Sequence, residues 1–300
     1  MDKNLKSKAK FNMILSMIIF GSIGIFVKYI ALPSGIISVA RGFIGCIVLV
    51  VFSLVSKTGL SLKDIKNNVL LLFVSGAFIG VNWMLLFESY NYTSVAVSTL
   101  CYYMAPVFMI ILSVVFLNEK LSLKKIICVV VSVCGMFLIS GVFSSGFTIK
   151  EIKGVMLALG AALLYAFVTL FNKKLAGISS SDKTIVQLFF AAVAILPYSI
   201  VKGDFNFDGV TIIQVILLII VGVIHTGFAY IMFFGSIGKL SAQTTAVLCY
   251  IDPITAVILS SILLKEKLGI FEIAGAVLII GASLFSEIRP KEKSTGKPMD

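Results

Sequence analysis

One passage occurs twice in this sequence, at an offset of 147 residues, the step from Tyr103 to Tyr250. Ser94 to Leu121 aligns with Ser241 to Leu268 without a gap. The alignment places Pro106 on Pro253, Ile111-Leu112-Ser113 on Ile258-Leu259-Ser260, and Glu119-Lys120-Leu121 on Glu266-Lys267-Leu268. Fainter matches precede it: Gly80 with Gly227, Trp83 with Tyr230, Phe87 with Phe234 and Ser89 with Ser236. The fold must therefore hold two copies of one unit.

Hydropathy sets the medium for that unit. Hydrophobic residues make up 59% of the chain, charged residues 13%, and the mean hydropathy is +1.09. Soluble domains carry about 45–50% apolar and about 25% charged residues. A bilayer core about 30 Å thick needs about 20 apolar residues per helix. The chain divides into ten such runs, at 11–30, 35–56, 68–89, 94–117, 122–141, 151–173, 184–201, 211–235, 241–264 and 269–287. An odd number of spans in each copy forces the second copy to insert upside down, and inverted repeats are a common transporter plan. The expected fold is an all-α integral membrane protein of ten transmembrane helices in two inverted five-helix repeats. The expected divisions are a basic amino terminus at 1–10, a first repeat at 11–141, a linker at 142–150, a second repeat at 151–287 and a basic tail at 288–300.

The net charge of +11 follows topology rather than a polyanion site. With the amino terminus inside, the inner segments hold Lys3, Lys6, Lys8, Lys10, Lys57, Lys63, Lys66, Lys120, Lys124, Lys125, Lys173, Lys174, Lys183, Lys239, Arg289, Lys291, Lys293 and Lys297. The outer segments keep Lys28, Lys150, Lys153, Lys202, Lys265 and Lys267. By the positive-inside rule both termini are cytoplasmic. The expectation is a multi-pass protein of a bacterial cytoplasmic membrane, monomer or homodimer, whose partners are the lipid bilayer and a small-molecule cargo, with no nucleic acid.

Five cysteines (Cys46, Cys101, Cys128, Cys134, Cys249) lie inside apolar runs, with no CxxC and a single histidine. They read as small hydrophobes, and no metal or cofactor is expected. There is no GxxxxGK[ST] loop, so the energy for transport must come from a gradient. A polytopic enzyme would need clustered acids and histidines near an interface, which this chain lacks.

Several phrases resemble the EamA-type domain of the drug/metabolite transporter superfamily, present twice. They are Phe20-Gly21-Ser22 through Phe26-Val27-Lys28, Arg41 early in the second run, Ala105-Pro106, and Asn118-Glu119-Lys120-Leu121. In the second half they are Leu157-Ala158 through Tyr165-Ala166, Asn172-Lys173-Lys174, Asp252-Pro253 and Glu266-Lys267-Leu268. The resemblance implies a central cavity bordered by helices one, three, four, six, eight and nine, and movement of small organic metabolites without ATP. Cargoes of this family range from amino acids and amines to nucleosides and vitamins, so the cargo does not transfer.

The residues that could carry chemistry are few. Asp252 sits near the middle of run nine, where a carboxylate costs about 2.5–3.5 kcal/mol on insertion scales. It is read as the counter-charge of a cationic group or as a proton carrier; its repeat partner is Ala105. Pro106 and Pro253 lack amides and leave the carbonyls of Tyr102 and Cys249 without helical partners, which marks hinges. His225, alone near the centre of run eight, is read as a buried hydrogen-bonding residue or a proton relay to Asp252. Arg41 needs a partner about 10 Å inside run two, and Glu88 is the expected one; the pair reads as structural, or Arg41 as a gate or carboxylate clamp. Trp83, Asn82, Tyr102, Tyr103, Tyr165, Tyr230 and Tyr250 form an aromatic and amide set suited to an amine or a flat aromatic cargo. Glu119-Lys120 and Glu266-Lys267 read as interface anchors. The functional expectation is a proton-coupled secondary transporter of a small metabolite, with export favoured and facilitated exchange or quaternary-amine transport as alternatives.

Overall fold

A computed structural model of the chain describes residues 3–57, 59–118, 122–139, 148–175, 177–237, 239–240 and 242–287. The Glu119-Lys120-Leu121 phrase, most of the linker and the basic tail lie outside the described residues. Every regular element among the described residues is helical. They are α1 (Lys3–Tyr29), α2 (Ser34–Val55), α3 (Leu62–Asn67), α4 (Val69–Ser89), α5 (Val95–Tyr102), α6 (Ala105–Leu117) and α7 (Leu123–Ile139). After the linker come α8 (Ile149–Lys174), α9 (Ser180–Lys202), α10 (Ile212–Ile220), a π-helical segment (Val221–Phe228), α11 (Ala229–Ile237), α12 (Ala242–Cys249), α13 (Ile251–Leu263) and α14 (Ile270–Glu287).

Among the described residues, seven helical stretches are long and apolar enough to cross a membrane, and the chain is a multi-pass membrane protein. Val247–Leu263 and Ile270–Phe285 are shorter apolar helices, and α7 has 17 residues. Hydropathy alone suggested ten runs of similar length. α7 ends at Ile139, α12 begins at Ala242 and α14 ends at Glu287, each next to residues outside the described ones. At the end of α13, Lys265 takes φ 57° directly after the C-cap Leu264, where the apolar run also ends. The outward surface is apolar: Val201, Val55 and Leu70 are 89%, 77% and 74% exposed, as faces that meet lipid rather than water would be.

Helix packing obeys the sequence repeat. α4 packs on α8 and α9, while α11 packs on α1 and the π segment on α2. α13 packs on α1 as α6 does on α8, and α2 meets α9 as α7 meets α14. Exchanging each helix for its copy turns this contact set into itself. Local geometry is copied as well. Asn118 and Lys265, 147 positions apart, are both left-handed, at φ 53° and φ 57°. Ser113 donates to the Ile110 carbonyl at 2.9 Å and Ser260 to the Val257 carbonyl at 3.1 Å.

Both copies are also interrupted at one place. α5 ends at Tyr102 and α6 begins at Ala105; α12 ends at Cys249 and α13 begins at Ile251. The residues at the breaks, Tyr103 (φ −71°, ψ 5°) and Tyr250 (φ −75°, ψ −5°), share one conformation. The cause lies three residues downstream, where Pro106 and Pro253 cannot donate to the preceding turn. Glycine decides how closely α1 approaches these breaks. A Cβ on Gly21 would overlap the Asp252 carbonyl oxygen, and one on Gly24 would overlap the Val95 side chain. Small residues at such crossings let helix backbones approach in lipid.

Candidate functional site

A cavity of about 350 Å³ lies between the two copies at the level of the breaks. Tyr103 and Tyr250 enter it because the interrupted turns lift them out of the helical phase of α5 and α12. Their rings lie 6.2 Å apart. Tyr102 reaches Tyr165 of α8 at 5.7 Å, extending the aromatic wall across the repeat boundary. Trp83, Tyr230, Pro106, Asp252 and Arg41, also picked out by the sequence, line the same cavity. The wall is almost sealed at Tyr90 and Trp83, 2% and 6% exposed, and open at Tyr165, 46% exposed.

Asp252 is held from the other copy. The Tyr103 hydroxyl donates to Asp252 Oδ2 at 2.8 Å and lies 3.4 Å from the Cys249 carbonyl, the oxygen that Pro253 deprives of its helical partner. One hydroxyl therefore serves the acid and the break together.

Four sequence expectations are corrected. Arg41 does not pair with Glu88. Its guanidinium lies over Trp83 at 3.9 Å, and Nε donates to Thr226 Oγ1 at 2.7 Å. Glu88 instead accepts from Ser34 Oγ at 2.7 Å and from Asn91 Nδ2 at 3.3 Å. Ser34 opens α2, and Arg41 lies about two turns further along it, so the acid meets the helix start and the cation lies deeper.

His225 is not brought to Asp252. It is 2% exposed, lies 3.0 Å from Ser22 Oγ and 3.4 Å from the Ile220 carbonyl, and packs on Phe26 at 4.6 Å. The wider turns of the π segment change the phase of this helix, so that His225 faces α1 while Thr226 faces α2.

Asn82 stands behind the wall, where Nδ2 donates to the Ala161 carbonyl of α8 and Oδ1 lies 3.4 Å from the Tyr102 hydroxyl. The amide joins two helices and orients a tyrosine rather than lining the cavity.

Glu266 is more than an interface anchor. Its carboxylate accepts from the amides of Val95 at 3.0 Å and Ala96 at 3.2 Å, while Ser94 Oγ accepts from Val97 at 3.0 Å. A carboxylate from the second copy thus caps the first turn of α5, where the helix dipole favours negative charge. The left-handed Lys265 immediately before it aims the side chain there.

Sequence reasoning also missed wall residues. Phe87 and Tyr90 follow Trp83 at helical spacing and share its face, a signal that was present in the 3.6-residue period. Phe20 packs on Tyr230 at 5.3 Å, and Thr99 lines the sealed end; nothing local distinguishes them from other apolar-run residues. Among the described residues no group of acids, cysteines and histidines could hold a metal ion.

The comparisons agree with this architecture. A protein of Bacillus subtilis (strain 168) described as uncharacterized transporter YxxF is 30% identical over 297 residues, spanning 96% of this chain and 92% of its own length. Protein RarD of Escherichia coli (strain K12) is 26% identical over 210 residues, 70% of this chain and 68% of that protein. A solved crystal structure superposes with a TM-score of 0.63 at 16% sequence identity over 94% of this chain and 97% of that one, a likeness of fold alone. The model of the EamA-like transporter family matches twice, over residues 7–141 and 152–287. With both copies matched and the cavity lying between them, the chain belongs to the EamA-like transporter family.

Proposed function

We propose that this transporter moves a small organic metabolite, amino-acid-like, amine or aromatic, across the bacterial cytoplasmic membrane by alternating access, driven by proton exchange at Asp252. The observation that carries the reading is the Tyr103–Asp252 hydrogen bond, which ties the break of one repeat to the acid of the other inside the cavity. Loading Asp252 with a proton or with a cationic group changes what Tyr103 can hold, and the two copies share that contact. A charge change at one residue then reaches both halves, which is what coupling requires. Export is the favoured direction, and facilitated exchange is the alternative.

The architecture proposed with this function is ten transmembrane helices in two inverted repeats, 11–141 and 151–287, with both termini cytoplasmic. The exchange symmetry of the helix contacts and the lysine distribution support it. Pro106 and Pro253 act as the hinges, and Trp83, Tyr102, Tyr103, Tyr165, Tyr230 and Tyr250 receive the cargo.

Purified protein in liposomes tests the coupling. An imposed proton gradient should drive uptake of labelled metabolites by the wild type, and Asp252→Asn should lose the dependence on the gradient. Unchanged rate and pH dependence in Asp252→Asn would remove the acid from the mechanism.

A further inference from the structure

We propose that Arg41 is the anion-receiving residue of the cavity and selects cargo that carries a carboxylate besides the group met by Asp252. This rests on the transporter reading for its setting but on separate observations for its content. Arg41 is 6% exposed and lines the cavity. Its guanidinium has five N–H donors and no acceptor. Nε is occupied by Thr226, and the Thr226 hydroxyl donates onward to the Val221 carbonyl at 3.2 Å, an oxygen of the π segment. Trp83 stacks at 3.9 Å and Phe87 lies at 5.7 Å. These contacts hold the plane of the group and leave both Nη nitrogens without a hydrogen-bond partner among the described residues, in a side chain that meets cavity space.

A charged guanidinium in a low-dielectric wall is costly unless paired. Its geometry matches one ligand class best, since the two Nη groups of a planar fork bind both oxygens of a carboxylate side by side. Across the same cavity, Asp252 gives Oδ2 to Tyr103, and Oδ1 has no hydrogen bond among the described residues. An acid and a base thus face one aromatic-walled space, each with bonding capacity unused. The cargo that satisfies both is a zwitterion with an apolar or aromatic body. An amine alone leaves Arg41 unpaired, and an acid alone leaves Asp252 unpaired.

Three probes that differ by one charged group separate these cases: L-phenylalanine, 2-phenylethylamine and 3-phenylpropanoate, with L-leucine, 3-methylbutylamine and 4-methylpentanoate as an aliphatic set. Binding to the full-length protein in detergent is measured by calorimetry, independently of flux. In at least one set the wild type should bind the zwitterion about tenfold or more tightly than either single-charge analogue, the scale of a hydrogen bond to a charged group. Arg41→Gln should erase the preference over the amine while keeping that over the acid, and Arg41→Lys should retain only part of it. Should Arg41→Gln fail to fold, Thr226→Val releases Nε and should narrow the same ratio. Equal binding of zwitterion and amine by the wild type in both sets, or an undiminished ratio in Arg41→Gln or in Thr226→Val, overturns the assignment. Binding as expected without flux would leave this assignment standing and count against the transporter reading.

Discussion

Tyr103 donates to Asp252 Oδ2 at 2.8 Å, and the repeat cannot return the bond. The equivalent of Tyr103 is Tyr250, but the equivalent of Asp252 is Ala105, whose methyl group accepts nothing. Two copies that share their breaks and left-handed turns therefore meet at a polar contact whose acid only one of them can supply.

Tyr103→Phe removes the hydroxyl and leaves the ring against Tyr250 at 6.2 Å. A hydrogen bond to a charged group contributes about 1.5–3 kcal/mol, so flux should fall about tenfold or more while the protein stays monodisperse. Moving the acid to the equivalent site tests the symmetry directly. The double variant Ala105→Asp, Asp252→Ala places it near Tyr250 and should recover flux that Asp252→Ala alone loses. No recovery would mean that the two copies are not interchangeable at the site.

Glu266→Ala leaves the Val95 and Ala96 amides at the start of α5 without their acceptors. Losing a helix cap costs about 0.5–2 kcal/mol, and the melting temperature in detergent should drop accordingly. Glu266→Gln keeps an acceptor but loses the charge that favours a helix start, so its drop should be smaller. If the two variants melt with the wild type, the cap is not stabilising.

Gly21→Val should abolish flux, because its Cβ meets the Asp252 backbone oxygen, which cannot move without shifting the break in α13. Gly281→Ala is the control, since nothing lies within 4 Å of a Cβ there. It should be neutral or stabilising by up to about 1 kcal/mol, the helix-propensity gain of alanine over glycine. Parallel measurement of flux and melting temperature separates the two effects.

Asn82→Leu and Trp83→Leu should behave oppositely although the residues are adjacent. Asn82 joins α4 to the Ala161 carbonyl, and such interhelical bonds are worth about 0.6 kcal/mol on average and about 1.7 kcal/mol at most, so its loss should appear as lowered stability. Trp83 lines the cavity beneath Arg41, so its loss should raise the apparent KM for cargo. A KM effect confined to Asn82→Leu would reverse the assignments.

The duplication, the membrane setting and most of the aromatic wall were legible because each has a one-dimensional signature: an offset, a run length and a residue type rare at the midplane. Asp252 was conspicuous for the same reason, since an acid in an apolar run stands out without coordinates. The errors came from depth and phase. Arg41 and Glu88 matched in charge, but their positions along α2 and α4 gave each a different neighbour, Thr226 with Trp83 for one and Ser34 for the other. Of the two readings of His225, the buried hydrogen-bonding one agrees with its place beside Ser22 and the Ile220 carbonyl. The relay to Asp252 rested on the family's placing of that helix against the cavity, and the π segment turns the imidazole to α1.

By itself the sequence determined that two homologous apolar units share one chain, that each carries a proline inside its repeated apolar run, and that only the second carries an acid beside that proline. Those are properties of composition and order, and no packing alters them. Only the tertiary structure decided which groups meet across the repeats: the Tyr103 hydroxyl on Asp252, the Glu266 carboxylate on the start of α5, and the Arg41 guanidinium between Thr226 and Trp83. The reason is geometric, because hydrogen bonds act within about 3 Å while these partners lie 42 to 185 positions apart, and helix phase, glycine crossings and left-handed turns set that last distance.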